Sequence, residues 1–115
     1  MISKLKWRNE MAYYHFYYYV PASHLQTTKE AIFAVGAGQV GRYTACAWET
    51  KGEEQYRPEE GSNPYCGTQG VVERMIDYKV ETICEEKNLA AIVNALKSSH
   101  PCECPLYGVV KLESV

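Results

Sequence analysis

No stretch of this chain approaches the ~20 consecutive apolar residues that cross a bilayer as a helix, and the opening Met1-Ile-Ser-Lys-Leu-Lys-Trp-Arg lacks the apolar core of a secretory signal. The protein is therefore expected to stay in the cytoplasm, where it is made. An excess of charge of one sign is also missing: 12 basic residues are interspersed with 14 acidic ones for a formal net charge of −2. Nucleic acid and anionic membrane surfaces, which need a basic footprint, are excluded as partners on that ground. A disulfide framework is absent as well. The five cysteines, Cys46, Cys66, Cys84, Cys102 and Cys104, are odd in number and dispersed apart from the last two, as suits reduced cytosolic thiols. No recurring Cys-x-x-Cys spacing marks a zinc site, and no set of residues amounts to an active site. A non-catalytic interaction or regulatory module is the expectation.

What is present is enough for one core. With 115 residues, 46% of them hydrophobic and 23% charged, the chain can form a single domain of ordinary size but not two. Residues 1–12 read as a mixed, partly basic tail, and residues 13–115 as the domain. From Tyr13 to Val20 the run Tyr-Tyr-His-Phe-Tyr-Tyr-Tyr-Val suits a pleated strand, stopped by Pro21. Ser23 with Gln26 forms a candidate capping box for a helix over about residues 24–35, in which Leu25, Thr28, Ala31, Ile32 and Val35 recur at helical spacing and Gly36 supplies the stop. A second strand is expected from Tyr43 to Glu49. A long Gly/Pro-bearing loop over residues 51–70 follows, and a loop of that length in a small domain points to function or an interface. Val71 to Cys84 reads as a third strand. Leu89, Ile92, Val93 and Leu96 form the stripe of a second helix that His100-Pro101 ends, and a last strand runs through Leu106, Val109, Val110 and Leu112.

The order strand, helix, strand, strand, helix, strand is the split βαβ arrangement of ferredoxin-like α+β domains, an antiparallel sheet with both helices on one face. Such a sheet leaves its other face uncovered. In the first strand Tyr13, Tyr17 and Tyr19 alternate with Tyr14, Phe16, Tyr18 and Val20, so aromatic rings fall on both sides, and another subunit is expected to cover the second face.

Four motifs are recognisable along this frame: Val20-Pro21-x-x-His24; Ala34-Val-Gly36-Ala-Gly38-x-x-Gly41-x-Tyr43-x-x-Cys46; Tyr56-Arg57-Pro58-x-x-Gly61-x-Asn63-Pro64-x-x-Gly67; and Ala95-Leu96-x-x-x-His100-Pro101-x-Glu103-x-Pro105-x-Tyr107. Together they resemble the inserted domain of the NGG-interacting-factor (YqfO-type) family, often labelled GTP cyclohydrolase-like, from about Tyr14 to Leu112. The resemblance implies a CutA/PII-like fold and a homotrimer. In that family the insert is flanked by two halves of another domain that carry the metal ligands. No position here corresponds to those ligands, so neither the metal site nor a hydrolase activity carries over, and a free-standing relative of the insert is expected. The last motif departs from the family's His-Pro-Tyr-Glu-Glu-Pro-Ala-Tyr-Asp: Cys102 and Cys104 stand where it has an aromatic and a carboxylate.

In a split βαβ fold the end of the first strand, the loop between the second and third strands, and the link into the last strand emerge at one end of the sheet. His24, the loop around Arg57, and the segment from His100 through Cys104 are therefore expected to be neighbours, and His24, Arg57, Asn63, His100 and Glu103 form the candidate ligand-binding set. Comparable clefts in PII-like trimers, the resemblance implies, hold nucleotides or other small effectors. Arg57 would serve there as an anion contact, and Arg57 and Asn63 as anchors of the loop. The alternative is a metal-binding or metal-responsive protein using His100, Cys102 and Cys104, since on a strand residues i and i+2 share a face and both sulfurs could meet one zinc or cuprous ion. No cofactor is expected. Gly36-Ala-Gly38-Gln-Val-Gly41 matches a dinucleotide fingerprint only superficially, because it follows a helix and precedes a strand, the reverse of the required context.

Overall fold

The tyrosine-rich run forms strand β1, Tyr13–Pro21, in a computed structural model that describes residues 12–113. Helix α1 (Leu25–Ala34) follows through a 3-10 turn at Ala22–His24; then come strands β2 (Ala47–Tyr56) and β3 (Glu73–Glu85), a second 3-10 turn at Glu86–Asn88, helix α2 (Leu89–Ser99) and strand β4 (Tyr107–Lys111). The strands form one sheet in the order β2-β3-β1-β4, and every neighbouring pair is antiparallel. This is the expected split βαβ fold. Of the expected tail at residues 1–12, all but Ala12 lies outside the described residues; the Ala12 carbonyl accepts the Glu86 N–H at 3.0 Å.

Because side chains alternate along a strand, β1 sends Phe16, Tyr18 and Val20 to one face, where they join Val80 and Cys84 of β3. Leu25 and Ile32 of α1 and Ile92 and Leu96 of α2 close over them, completing a core whose members are nearly all inaccessible to water. Tyr18 brings a polar tip into this core. Its hydroxyl donates to Thr28 Oγ1 at 2.9 Å, and the Thr28 hydroxyl in turn donates back to the His24 carbonyl at 2.9 Å. Burial of the phenol pushes the Tyr18 pKa up to about 12, so the ring stays neutral and the bond to α1 is kept.

Helix α1 ends as its glycine implies. The Gly36 N–H bonds to the Phe33 carbonyl and the Ala37 N–H reaches back to Ile32, both at 3.1 Å, with Gly36 at φ +108°. This is a Schellman closure, in which the left-handed residue lets two otherwise orphaned carbonyls find donors. The start differs from expectation: Ser23 caps nothing. His24 occupies the N-cap, and the Ser23 hydroxyl bonds to His24 Nδ1 at 2.8 Å and to the Tyr65 hydroxyl at 3.1 Å.

Strand β2 is displaced from its expected span of Tyr43 to Glu49. The stretch Lys51-Gly-Glu-Glu-Gln-Tyr56 has no apolar periodicity, yet it pairs residue by residue with β3 out to Tyr56↔Glu73, which shortens the loop to residues 57–72. Pairing with a neighbour supplies the backbone bonds, and charged side chains are the usual furniture of an exposed edge. Lys29 of α1 reaches across to Glu49 at 2.6 Å. Replacing Gly36 by alanine forces an L-residue into the left-handed region and pushes its Cβ against the Asn88 side chain. Gly36→Ala is expected to lower stability by about 1–2 kcal/mol in urea titration, and an unchanged midpoint would remove the closure from the account of how α1 stops.

Candidate functional site

The loop end of the sheet brings together three segments that are distant in sequence. Tyr65, from the 57–72 loop, sets its ring edge-on to His24 with centroids 5.7 Å apart while its hydroxyl meets Ser23. The Asn63 backbone N–H donates to Glu103 Oε2 at 3.0 Å, and the Tyr56 hydroxyl donates to the Cys66 carbonyl. Pro58 is buried, and its carbonyl accepts the Gly70 N–H at 2.7 Å. The loop thus meets His24 through Tyr65 and Glu103 through the Asn63 backbone, but it is not anchored by the side chains of Arg57 and Asn63, which are exposed. Tyr56, Pro58 and Tyr65 hold it instead. The signal for Tyr56 and Pro58 stood in the Tyr56-Arg57-Pro58 motif; nothing marked Tyr65.

His100 is buried, and both ring nitrogens are engaged. Nε2 lies 2.6 Å from the Tyr19 carbonyl and Nδ1 lies 3.1 Å from the Cys102 backbone N–H. A carbonyl can only accept and an N–H can only donate, so Nε2 carries the proton and Nδ1 accepts. Cys102 and Cys104 lie in the loop before β4 rather than on a strand, so the shared face expected for their sulfurs does not arise. They line a small cavity of about 220 Å³ together with Glu54, Tyr56, Tyr65 and Glu103.

A larger groove adjoins it on the face of the sheet that the helices leave open. There His15, Tyr17 and Tyr19 form a ladder, His15 stacked on Tyr17 at 5.5 Å and Tyr17 edge-on to Tyr19 at 6.3 Å. Lys79 holds its ammonium 5.1 Å from the centre of the Tyr17 ring and 3.8 Å from Glu81, which also meets His15 at 3.2 Å. Tyr17 lies across β4 at Gly108, where any Cβ would overlap its ring. Beyond Tyr19 the groove opens to about 580 Å³, lined by Glu54, Tyr56, Asp77, Lys79 and Leu106 among others. That volume lies within the usual range of small-molecule sites. At its floor Asp77 is 4% exposed, and neither carboxylate oxygen finds a hydrogen-bond partner among the described residues.

No family model matches the chain. A GTP cyclohydrolase 1 type 2 homolog from Halalkalibacterium halodurans is 39% identical over 94 residues, which is 82% of this chain and 25% of that protein. Among solved structures, a Bacillus cereus protein related to NIF3 superposes with a TM-score of 0.77 at 26% identity, over 89% of this chain and 26% of its own. The chain is a relative of the NGG-interacting-factor family. It spans about a quarter of the length of the curated relatives it matches. The periplasmic divalent cation tolerance protein CutA from Archaeoglobus fulgidus superposes with a TM-score of 0.62 over 88% of this chain and 84% of its own, at 10% identity, and so shares the fold.

Within this relative of the NGG-interacting-factor family, the His100-Pro101 turn is a structural joint. The imidazole ties the link before β4 to the end of β1, and its two engaged nitrogens leave no lone pair for a metal ion. Among the described residues no three His, Cys, Asp or Glu side chains converge in a metal-binding geometry. Burial, the largest influence on His100, lowers its pKa below the ordinary 6.5, partly opposed by the bond to the Tyr19 carbonyl. The unfolded chain therefore takes up a proton near the ordinary value while the folded chain does not. Stability is complete above that value and declines as pH falls through it, until the folded imidazole also protonates. Melting temperature should accordingly drop between about pH 7.5 and about pH 5.5, and the slope should flatten in His100→Gln; parallel slopes for the two proteins would count against a neutral, buried His100.

Proposed function

We propose that the chain is a non-catalytic binding and regulatory module of the cytoplasm, which assembles as a homotrimer through the open face of its sheet and holds a small effector at the loop end. The observation that carries this reading is the aromatic ladder of Tyr17 and Tyr19 on the face that neither helix covers. Rings of this kind bury about 150–250 Å² each when packed, and each Å² of apolar area removed from water contributes roughly 25 cal/mol. Closure by a second copy recovers that contribution. The CutA-like fold supports threefold symmetry, because the family resemblance implies trimers.

A binding role rather than catalysis is supported by the state of the groups that chemistry would need. Burial pushes the Cys84 thiol up to about 11 and also raises the Cys102 thiol, so both are protonated and poor nucleophiles at neutral pH. His100 is committed to backbone groups on both sides. Light scattering coupled to gel filtration is expected to give three times the chain mass, and Tyr17→Asp, which places a charge in the covered face, is expected to give one. A wild-type monomer would overturn assembly through this face, while a dimer would overturn the threefold symmetry alone.

A further inference from the structure

We propose that the groove at the loop end of the sheet, beyond the Tyr17–Tyr19 ladder that a second copy covers, is a binding site for a small organic cation, an amidinium, guanidinium or ammonium group on an apolar body, with Asp77 as its counter-ion. This deepens, and rests on, the reading of the domain as an effector-binding module. Asp77 is nine-tenths or more buried, and both oxygens lack a donor among the described residues. A buried carboxylate in that condition is costly to the fold, and native structures rarely leave one so. The ladder explains why no internal donor reaches it. Asp77 is flanked by Pro21 on β1, which has no N–H, and by Gly52 on β2, which has no side chain.

The cations nearest to hand are directed elsewhere. Lys79, two residues along the same face, turns its ammonium toward Glu81 and over the rings of Tyr17 and Tyr19. Arg74, on the other face of β3, pairs with Glu53 at 3.6 Å. Arg57, the expected anion contact, does not line the groove. Three further carboxylates do, Glu53, Glu54 and Glu81, against the ammonium groups of Lys51 and Lys79; Glu54 stands opposite Met75, one step diagonally from Asp77 on the same face, and burial raises its pKa. The charges facing the groove thus favour a cation. Tyr19, Tyr56 and Leu106 provide apolar and aromatic walls suited to its carbon body and to cation–π contact. An organic cation fits better than a metal ion, since among the described residues no third ligand converges with Asp77 and Glu54.

Benzamidine is the probe, with benzamide as the uncharged isostere and benzoate as the anion. Calorimetric titration of the wild-type protein should show saturable, sub-millimolar binding of benzamidine and none of the other two. Asp77→Asn should weaken benzamidine at least ~tenfold, the loss of a charge-assisted pair, while raising the melting temperature of the unliganded protein, because the buried charge is gone. Glu54→Gln should weaken it several-fold without altering the fold. Equal binding of benzamidine and benzamide, unchanged affinity in Asp77→Asn, or stabilisation by zinc or magnesium in place of benzamidine would overturn the proposal. So would a fall in assembled mass in Asp77→Asn, because Asp77 would then be meeting a cation of a second copy. The two readings fail separately: a monomer that still binds benzamidine removes the trimer and leaves the site, whereas a trimer that binds no cation removes the site and leaves the assembly.

Discussion

The rest of this structure depends on one strand being paired on both sides. β1 lies between β3 and β4, so its register is held by two ladders, Phe16 opposite Thr82 on one side and opposite Val109 on the other. A slip of one residue would exchange its faces, carrying Tyr17 and Tyr19 under the helices and exposing Phe16, Tyr18 and Val20. The bond from Tyr18 to Thr28 adds a directional check, because only one register brings the phenol to α1. Two helices cannot cover both faces of a four-stranded sheet, so the same strand that completes the core also produces the uncovered aromatic ladder.

Conditions differ between the two faces. Under the helices the polar groups are satisfied: Thr28, Tyr18 and the closing turn of α1 all find partners. On the open face the charges lie in chains, His15 to Glu81 to Lys79 to the tyrosine rings, which orders the ladder without neutralising Asp77. Gly108 and Gly52 matter here for what they omit. One leaves room for Tyr17 to lie flat, and the other leaves Asp77 without a cross-strand side chain.

At the loop end a different economy holds. The 57–72 segment is fastened by a few side-chain contacts, Tyr56 to Cys66, Tyr65 to Ser23 and His24, and Glu103 to the Asn63 backbone. Its contacts therefore couple the end of β2, the start of α1 and the His100 turn into one unit. His100 completes it by joining the chain before β4 to the last residues of β1, its Nε2–H donating to the Tyr19 carbonyl while burial disfavours protonation of Nδ1.

The amino-acid sequence by itself determined the order of elements, the stripe of α2, the glycine stop of α1 and the two-sided aromatic character of β1, because these follow from the local periods of helix and strand and from the conformational freedom of glycine. It also placed His24, Asn63 and Glu103 at one end of the sheet, since the topology leaves those connections no other position. The span of β2 was not legible: Lys51 to Tyr56 has no period of its own and becomes a strand only because β3 offers it a partner. Ser23 matched a cap in spacing, yet Tyr65 and His24 claim its hydroxyl, a competition between residues 42 apart. Asp77 fell inside the third strand's expected span. Only the tertiary structure, by setting it between a proline and a glycine and burying it beneath a groove, made it a carboxylate without a partner, because burial and cross-strand neighbours are properties of the assembled sheet.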